Sequence, residues 1–172
     1  MITSSNQPYY FIKSKETTEI PLCLDANLIV ADTGITGQTK LAVNIVKEKV
    51  QKIPSTQGII NSLGELTTKA KHAMTINDPY SLGRYMSESH SYLNKLGISN
   101  EQLNNLVNTA LQNNALGAKL TGGGLGGCMI ALVNSENSKL IQEKLLAAGA
   151  KQVWEIPLKG NHYDENHSKS TY

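Results

Sequence analysis

The sequence predicts an α+β fold in which helices pack on one face of a small antiparallel sheet. Three observations carry that expectation. Short apolar runs near 28–33, 117–121, 128–133 and 151–156 have strand length and are bounded by turn residues. Longer segments between them carry apolar residues at helical spacing. The resulting order, β-β-β-α-α-α-α-β-β-α-β, allows the four strands a split-βαβ, ferredoxin-like arrangement.

Taken in order, Tyr9 to Lys13 and Thr18 to Leu24 read as short strands around the polar turn Ser14-Lys15-Glu16. Asp25-Ala26-Asn27 is a turn, and Leu28-Ile29-Val30-Ala31 is a continuous apolar run suited to a buried strand, ended by Asp32-Thr33-Gly34. A helix starting near Gly37 carries Leu41, Val43, Val46 and Val50 on or near one side, and Pro54 closes it. Ile59, Leu63, Leu66, Ala70 and Ala73 form the stripe of a second helix.

Asn77-Asp78-Pro79 offers an N-cap followed by proline at the first helical position. The third helix then shows Leu82, Tyr85, Met86, Tyr92, Leu93 and Leu96, and stops at Gly97. Ser99 with Gln102 reads as a capping box for a helix through Leu103, Leu106, Val107, Ala110 and Leu111. After Gly117 the pattern becomes strand, glycine loop, strand. Glu136 to Ala148 is a last helix, Lys151 to Pro157 a last strand, and 159–172 a polar, aperiodic tail expected to be disordered.

At 172 residues the chain has the size of one ordinary domain. Its net charge of +2 comes without a basic cluster, and its few aromatics show no stacking pattern. Nucleic acid and membrane partners are therefore not expected. Cys23 and Cys128 stand too far apart for C-x-x-C chemistry, so buried, reduced thiols in a cytoplasmic protein are expected. No apolar run reaches the roughly 18 residues of a membrane span.

The most informative segment is Lys119 to Cys128, KLTGGGLGGC, in which five of six consecutive positions are glycine. Every glycine costs backbone entropy, so such a run makes sense only where φ must be positive or something must come close to the bare backbone. Successive free N–H groups suit a phosphate. Gly122, Gly124 and Gly127 formally satisfy G-x-G-x-x-G, but a strand follows where the dinucleotide fingerprint needs a helix. His72 and His90 lie within helical patterns without a partner at i+4, which favours surface or packing roles over metal ligation.

With these residues in view, the sequence resembles the GHMP small-molecule kinases, and within them the mevalonate kinase branch. The segment K-L-T-G-G-G-x-G-G-C is similar to that family's third glycine motif. Ala31-Asp32-Thr33-Gly34-Ile35-Thr36-Gly37-Gln38-Thr39 is similar to the A-D-T-G-x-x-G-x-T segment that opens its C-terminal domain. The family's nucleotide loop, P-x-x-x-G-L-G-S-S-A-A, and its P-S-G-x-D aspartate are not in this sequence.

The resemblance thus implies the C-terminal half of such an enzyme. Residues 1–26 would be remnant strands of an N-terminal domain, 27–158 the GHMP C-terminal domain and 159–172 a tail. It implies that Thr121, Gly122, Gly123, Gly124, Gly126 and Gly127 border the phosphate path. Asp32, Thr33, Gly34 and Thr39 would line the substrate side or shape the loop that does. No catalytic residue and no metal ligand is assigned in this chain.

The intact family uses ATP and Mg²⁺ to phosphorylate mevalonate, and neither cofactor is expected to bind this chain tightly alone. A complementary N-terminal domain, or self-association, would cover apolar residues such as Tyr9, Phe11, Ile20 and Leu22. The alternatives are a non-catalytic ferredoxin-like small-molecule-binding module, or half of another GHMP kinase such as phosphomevalonate kinase.

Overall fold

A computed structural model describes residues 9–11, 16–20 and 24–158 of the chain. Its elements are β1 (Tyr9–Tyr10), β2 (Thr18–Glu19), β3 (Asn27–Asp32), α1 (Thr39–Lys52), α2 (Ser55–Thr75), α3 (Pro79–Leu96), α4 (Glu101–Gln112), β4 (Gly117–Leu120), β5 (Cys128–Val133), α5 (Ser135–Ala147) and β6 (Gln152–Pro157). β1 and β2 pair with each other as a separate antiparallel ribbon. The main sheet runs β4-β5-β3-β6, and every neighbouring pair is antiparallel. β5 therefore lies between β3 and β4, and β3 between β5 and β6. These are the two split crossovers of a ferredoxin-like sheet, as the sequence predicts.

Strand alternation divides the core in two. Ile29 and Ala31 of β3, Ala118 and Leu120 of β4, and Met129, Ala131 and Val133 of β5 share one face. They pack against Leu103, Leu106, Val107 and Ala110 of α4 and Ile141 and Leu145 of α5. Burying one leucine of this kind contributes about 1.5–3 kcal/mol. The intervening residues point the other way. There Leu132, with Leu28 and Ile130 beside it, meets Leu82 and Met86 of α3, Ala73 of α2, and Leu24 and Ala26.

Helices on one face thus describes α4 and α5 only. α2 and α3 reach the opposite face because β5 is apolar on both sides, with Leu132 as well as Ala131 and Val133 fully buried.

α3 also covers the outer edge of β4. Gly83 and Gly117 bring the two backbones into contact; a Cβ on Gly83 would collide with the Leu116 carbonyl, and one on Gly117 with the Gly83 carbonyl. Beyond that crossing, the N–H of Ala118 donates to Ser87 Oγ at 3.2 Å, and the N–H of Leu120 to His90 Nδ1 at 3.3 Å. An edge strand that would otherwise present free amides is closed by side chains of a helix.

Several local expectations change. The N-cap of α4 is Asn100, whose side chain accepts from the Leu103 N–H at 2.8 Å. Ser99 instead gives its hydroxyl hydrogen to Asn104, and Gln102 donates to the carbonyls of Ala148 and Gly149. On α1 the inward residue is Ala42, while Leu41 and Val43 are 47% and 60% exposed. The helix leans on the C-terminus of α3 through Ile45 and Lys49, which face Gly97, and so turns its apolar stripe partly outward.

Ile20, expected at an open edge, is buried, whereas Tyr9 and Phe11 are exposed. The β1–β2 ribbon meets α2, where the Lys71 ammonium sits 4.4 Å from the centre of the Tyr10 ring. Leu22, Cys23 and the tail at 159–172 lie outside the described residues. Among the described residues no helix is long and apolar enough to cross a membrane.

Candidate functional site

The loop Thr121–Gly127 joins β4 to β5 and is pinned from three directions. At its base the Thr121 N–H donates to the Cys128 carbonyl at 3.0 Å. At its crest the Leu125 N–H donates to the Ile98 carbonyl at 2.9 Å, and Gly124 O accepts from the Gln38 N–H at 3.3 Å. At its exit the Gly127 N–H donates to Ile35 O at 2.7 Å, and Gly127 O accepts from both the N–H and the hydroxyl of Thr33. The two sequence segments singled out above, 31–39 and 119–128, are therefore one hydrogen-bonded unit.

This packing explains much of the glycine content. A Cβ at Gly123 would strike the Thr39 side chain, at Gly124 the Ile98 carbonyl, and at Gly126 the carbonyls of Ile35 and Thr36. At those positions it is the protein's own neighbouring loops that come close to the bare backbone. Gly122 differs: its φ is +79° and nothing stands within 4 Å of where its Cβ would be. Leu125 holds a positive φ of +57° in spite of its side chain, fixed there by the bond to Ile98.

Among the described residues, no hydrogen bond engages the N–H groups of Gly122, Gly123 or Gly126. Gly123 lies against Thr39, the first residue of α1. That helix begins without a side-chain cap and without an acidic residue in its first turn. Loop amides and an uncapped helix N-terminus, which carries partial positive charge, thus lie side by side. Such a surface suits an anion.

The other sequence-predicted positions fall around this unit. Asp32 ends β3 opposite Cys128 and Gln152, and its Oδ1 accepts from the Gly34 N–H at 2.9 Å. It closes the turn that Gly34 completes with a φ of +73°. Thr33 is buried, and its hydroxyl both donates to Gly127 O and accepts from the Ile35 N–H. No described hydrogen bond engages the hydroxyl of Thr121, whose side chain is half-buried.

Lys119 stands beside Ile130 on the second face of the sheet, and its ammonium donates to the Leu120 carbonyl at 2.9 Å. Burial holds that ammonium below the usual lysine range. Cys128, expected to be buried, is half-buried, and burial, then the Asp32 carboxylate, push its thiol up.

Sequence reasoning assigned no anchoring role to Gln38, Ile98 or Asn104, which hold or flank the loop, and His90, expected in a surface or packing role, packs beside it. Gly37, only 3.7 Å from Gly124 O at its virtual Cβ, was the available signal for the contact between loops. An open groove of about 850 Å³ lies between Ile35 and the first turns of α4, where Ser99, Asn104 and Asn108 line it. None of the loop glycines lines that groove.

The donor set fits a phosphate and does not fit a magnesium cage. Among the described residues no three His, Cys, Asp or Glu side chains converge. A magnesium ion takes oxygen ligands, usually carboxylates and substrate phosphates, and no such cluster stands among the described residues.

An antiparallel ferredoxin-like sheet with a pinned glycine loop defines a domain class. Residues 70–151, just under half of the chain, match the family model described as GHMP kinases C terminal. Similar curated proteins include mevalonate kinases. That of Pyrococcus abyssi (strain GE5 / Orsay) is 31% identical over 163 residues, covering 91% of this chain and 48% of the relative. That of Thermococcus onnurineus (strain NA1) is 33% identical over 148 residues, covering 83% and 44%.

Among solved structures, L. major mevalonate kinase in complex with R-mevalonate superimposes with a TM-score of 0.78 at 27% identity, covering 89% of this chain and 48% of that one. Streptococcus pneumoniae phosphomevalonate kinase, with a TM-score of 0.71 at 18% identity, shares the fold. The chain spans about half the length of the curated relatives it matches.

Proposed function

We propose that this chain forms the C-terminal wall of a kinase cleft that phosphorylates mevalonate from ATP. The observation that carries the reading is the set of free amides of Gly122, Gly123 and Gly126 beside the uncapped start of α1. Phosphoryl transfer is mostly positioning and electrostatics, and fixed amides that need no reorganisation suit the charge on a transferring phosphate. ATP bound here would supply the phosphoryl group. The chain's own part is to present those three N–H groups and, beside them, the Thr121 hydroxyl.

In this reading Gly124 and Gly127 keep the loop's shape and Thr33 locks it to the segment after β3. Asp32 and Gly34 make the turn that places Thr39 against Gly123. The acceptor hydroxyl needs a base, and Asp32 is a poor candidate because its carboxylate is engaged in its own turn. A complementary N-terminal GHMP domain would supply the base and the nucleotide loop, with residues 27–158 as the domain it closes upon. The L. major relative was solved with R-mevalonate, which supports mevalonate as the acceptor.

The test is coupled ADP release with mevalonate, on the chain alone and after mixing with a separately expressed N-terminal half of the Pyrococcus abyssi relative. Turnover is expected only in the mixture and is expected to fall with Gly122→Val. Mevalonate-dependent turnover by the chain alone would refute the proposal.

A further inference from the structure

We infer that His90, backed by Asn104, is a positioning residue for the glycine loop, tying the end of β4 to the Ile98 turn on which the loop's crest rests. What this does for phosphoryl transfer rests on the reading of the loop given above; the tie itself does not.

The chain of contacts is continuous. His90 Nδ1 accepts the Leu120 N–H, one residue before Thr121. A backbone amide can only donate, so Nδ1 is the unprotonated nitrogen and the hydrogen sits on Nε2. Nε2 lies 3.1 Å from Asn104 Oδ1, which also takes the Ser99 hydroxyl hydrogen at 2.7 Å. Asn104 Nδ2 donates onward to Asn94 Oδ1 at 3.2 Å, which fixes the orientation of the amide. Ser99 adjoins Ile98, whose carbonyl receives the Leu125 N–H. The imidazole thus connects the loop's base to its crest through two side chains.

No part of this network has a spare acceptor for a second imidazole proton. A proton on Nδ1 would face the Leu120 N–H, and two donors would oppose each other. The surroundings resist it as well. β4 presents the Lys119 ammonium, while α4, the turn before it and α3 present the neutral side chains of Asn104, Ser99 and Asn94. Burial first, and then Lys119, hold His90 below the usual histidine range, with the bond to Asn104 opposing them.

The experiment is NMR of the whole chain. In wild type, a scalar coupling across the hydrogen bond from Leu120 N to His90 Nδ1 is expected. Protection factors of the Leu120, Thr121, Leu125 and Gly127 amides are then followed from about pH 8 to 4. They should fall about tenfold below the ordinary imidazole range, where His90 takes up its proton, the order expected for one part-buried hydrogen bond.

His90→Asn places Oδ1 near the position of Nδ1 and does not titrate, so protection should be retained and flat with pH. His90→Leu should lower it throughout while β3 and β5 amides keep theirs. Wild-type loop protection in His90→Leu, or an unchanged pH profile in His90→Asn, would overturn the inference. If His90→Leu fails to fold, the comparison of wild type with His90→Asn still decides. Inorganic phosphate added at fixed pH separates the two ideas. pH-dependent protection without shifts at Gly122 and Gly126 upholds the tie and counts against the phosphate reading.

Discussion

At Gly124 two constraints coincide, since φ is +84° and the Ile98 carbonyl occupies the space a methyl would need. At Gly122 only the first applies. Gly122→Ala should therefore cost about 1–2 kcal/mol, the ordinary penalty of a left-handed L-residue. Gly124→Ala should cost more, because the loop must also lift off Ile98. Urea denaturation of the two variants checks that order. His90 gives a pH dependence whose sign follows from its depressed native pKa. Above the ordinary imidazole range both states are neutral and the term is flat. As pH falls through that range the unfolded chain binds a proton that the native one resists, and stability declines until the native pKa is passed. The urea midpoint at about pH 5 should lie below that at pH 7.5, and His90→Asn should shrink the difference.

Among the elements, α4 holds the sheet's first face with four inward residues, Leu103, Leu106, Val107 and Ala110, none more than 1% exposed. Leu106→Ala should cost about 2–5 kcal/mol, seen as a lowered denaturation midpoint with an unchanged slope. The spacing of those residues made α4 legible in the sequence, as Asp78, Pro79 and Gly97 made α3 legible through cap chemistry. Asn100 was not, since Ser99 offers the same side-chain chemistry one residue earlier and only the loop's path decides which oxygen meets the Leu103 N–H. The outward Leu41 and Val43 of α1 were hidden for a related reason. A helical stripe shows that a face is apolar, whereas Gly97 and the end of α3 determine how far it turns inward. The cover of α3 over β4 depends on Gly83 meeting Gly117 across 34 positions of sequence, a contact that helical periodicity does not report.

For the molecule as a whole, the ferredoxin-like order followed from four strands and the position of the crossovers, and the sheet has that order. The glycine loop was recognisable as a site candidate, its glycines read as serving positive φ or the approach of an anion, and φ is positive at Gly122, Gly124, Gly126 and Gly127. Gly123, Gly124 and Gly126 also serve contacts with Thr39, Ile98, Ile35 and Thr36, and what is left open is a short row of amides. The account's central claim is that this row meets phosphate. The direct measurement is an amide-resolved NMR titration of the chain with magnesium-free tripolyphosphate, carried to about 10 mM to reach weak binding. Saturable shifts at Gly122, Gly123, Gly126 and Thr39, with α5 amides unmoved, are the predicted result. Shifts confined to other surfaces, with those four amides unchanged, would contradict it.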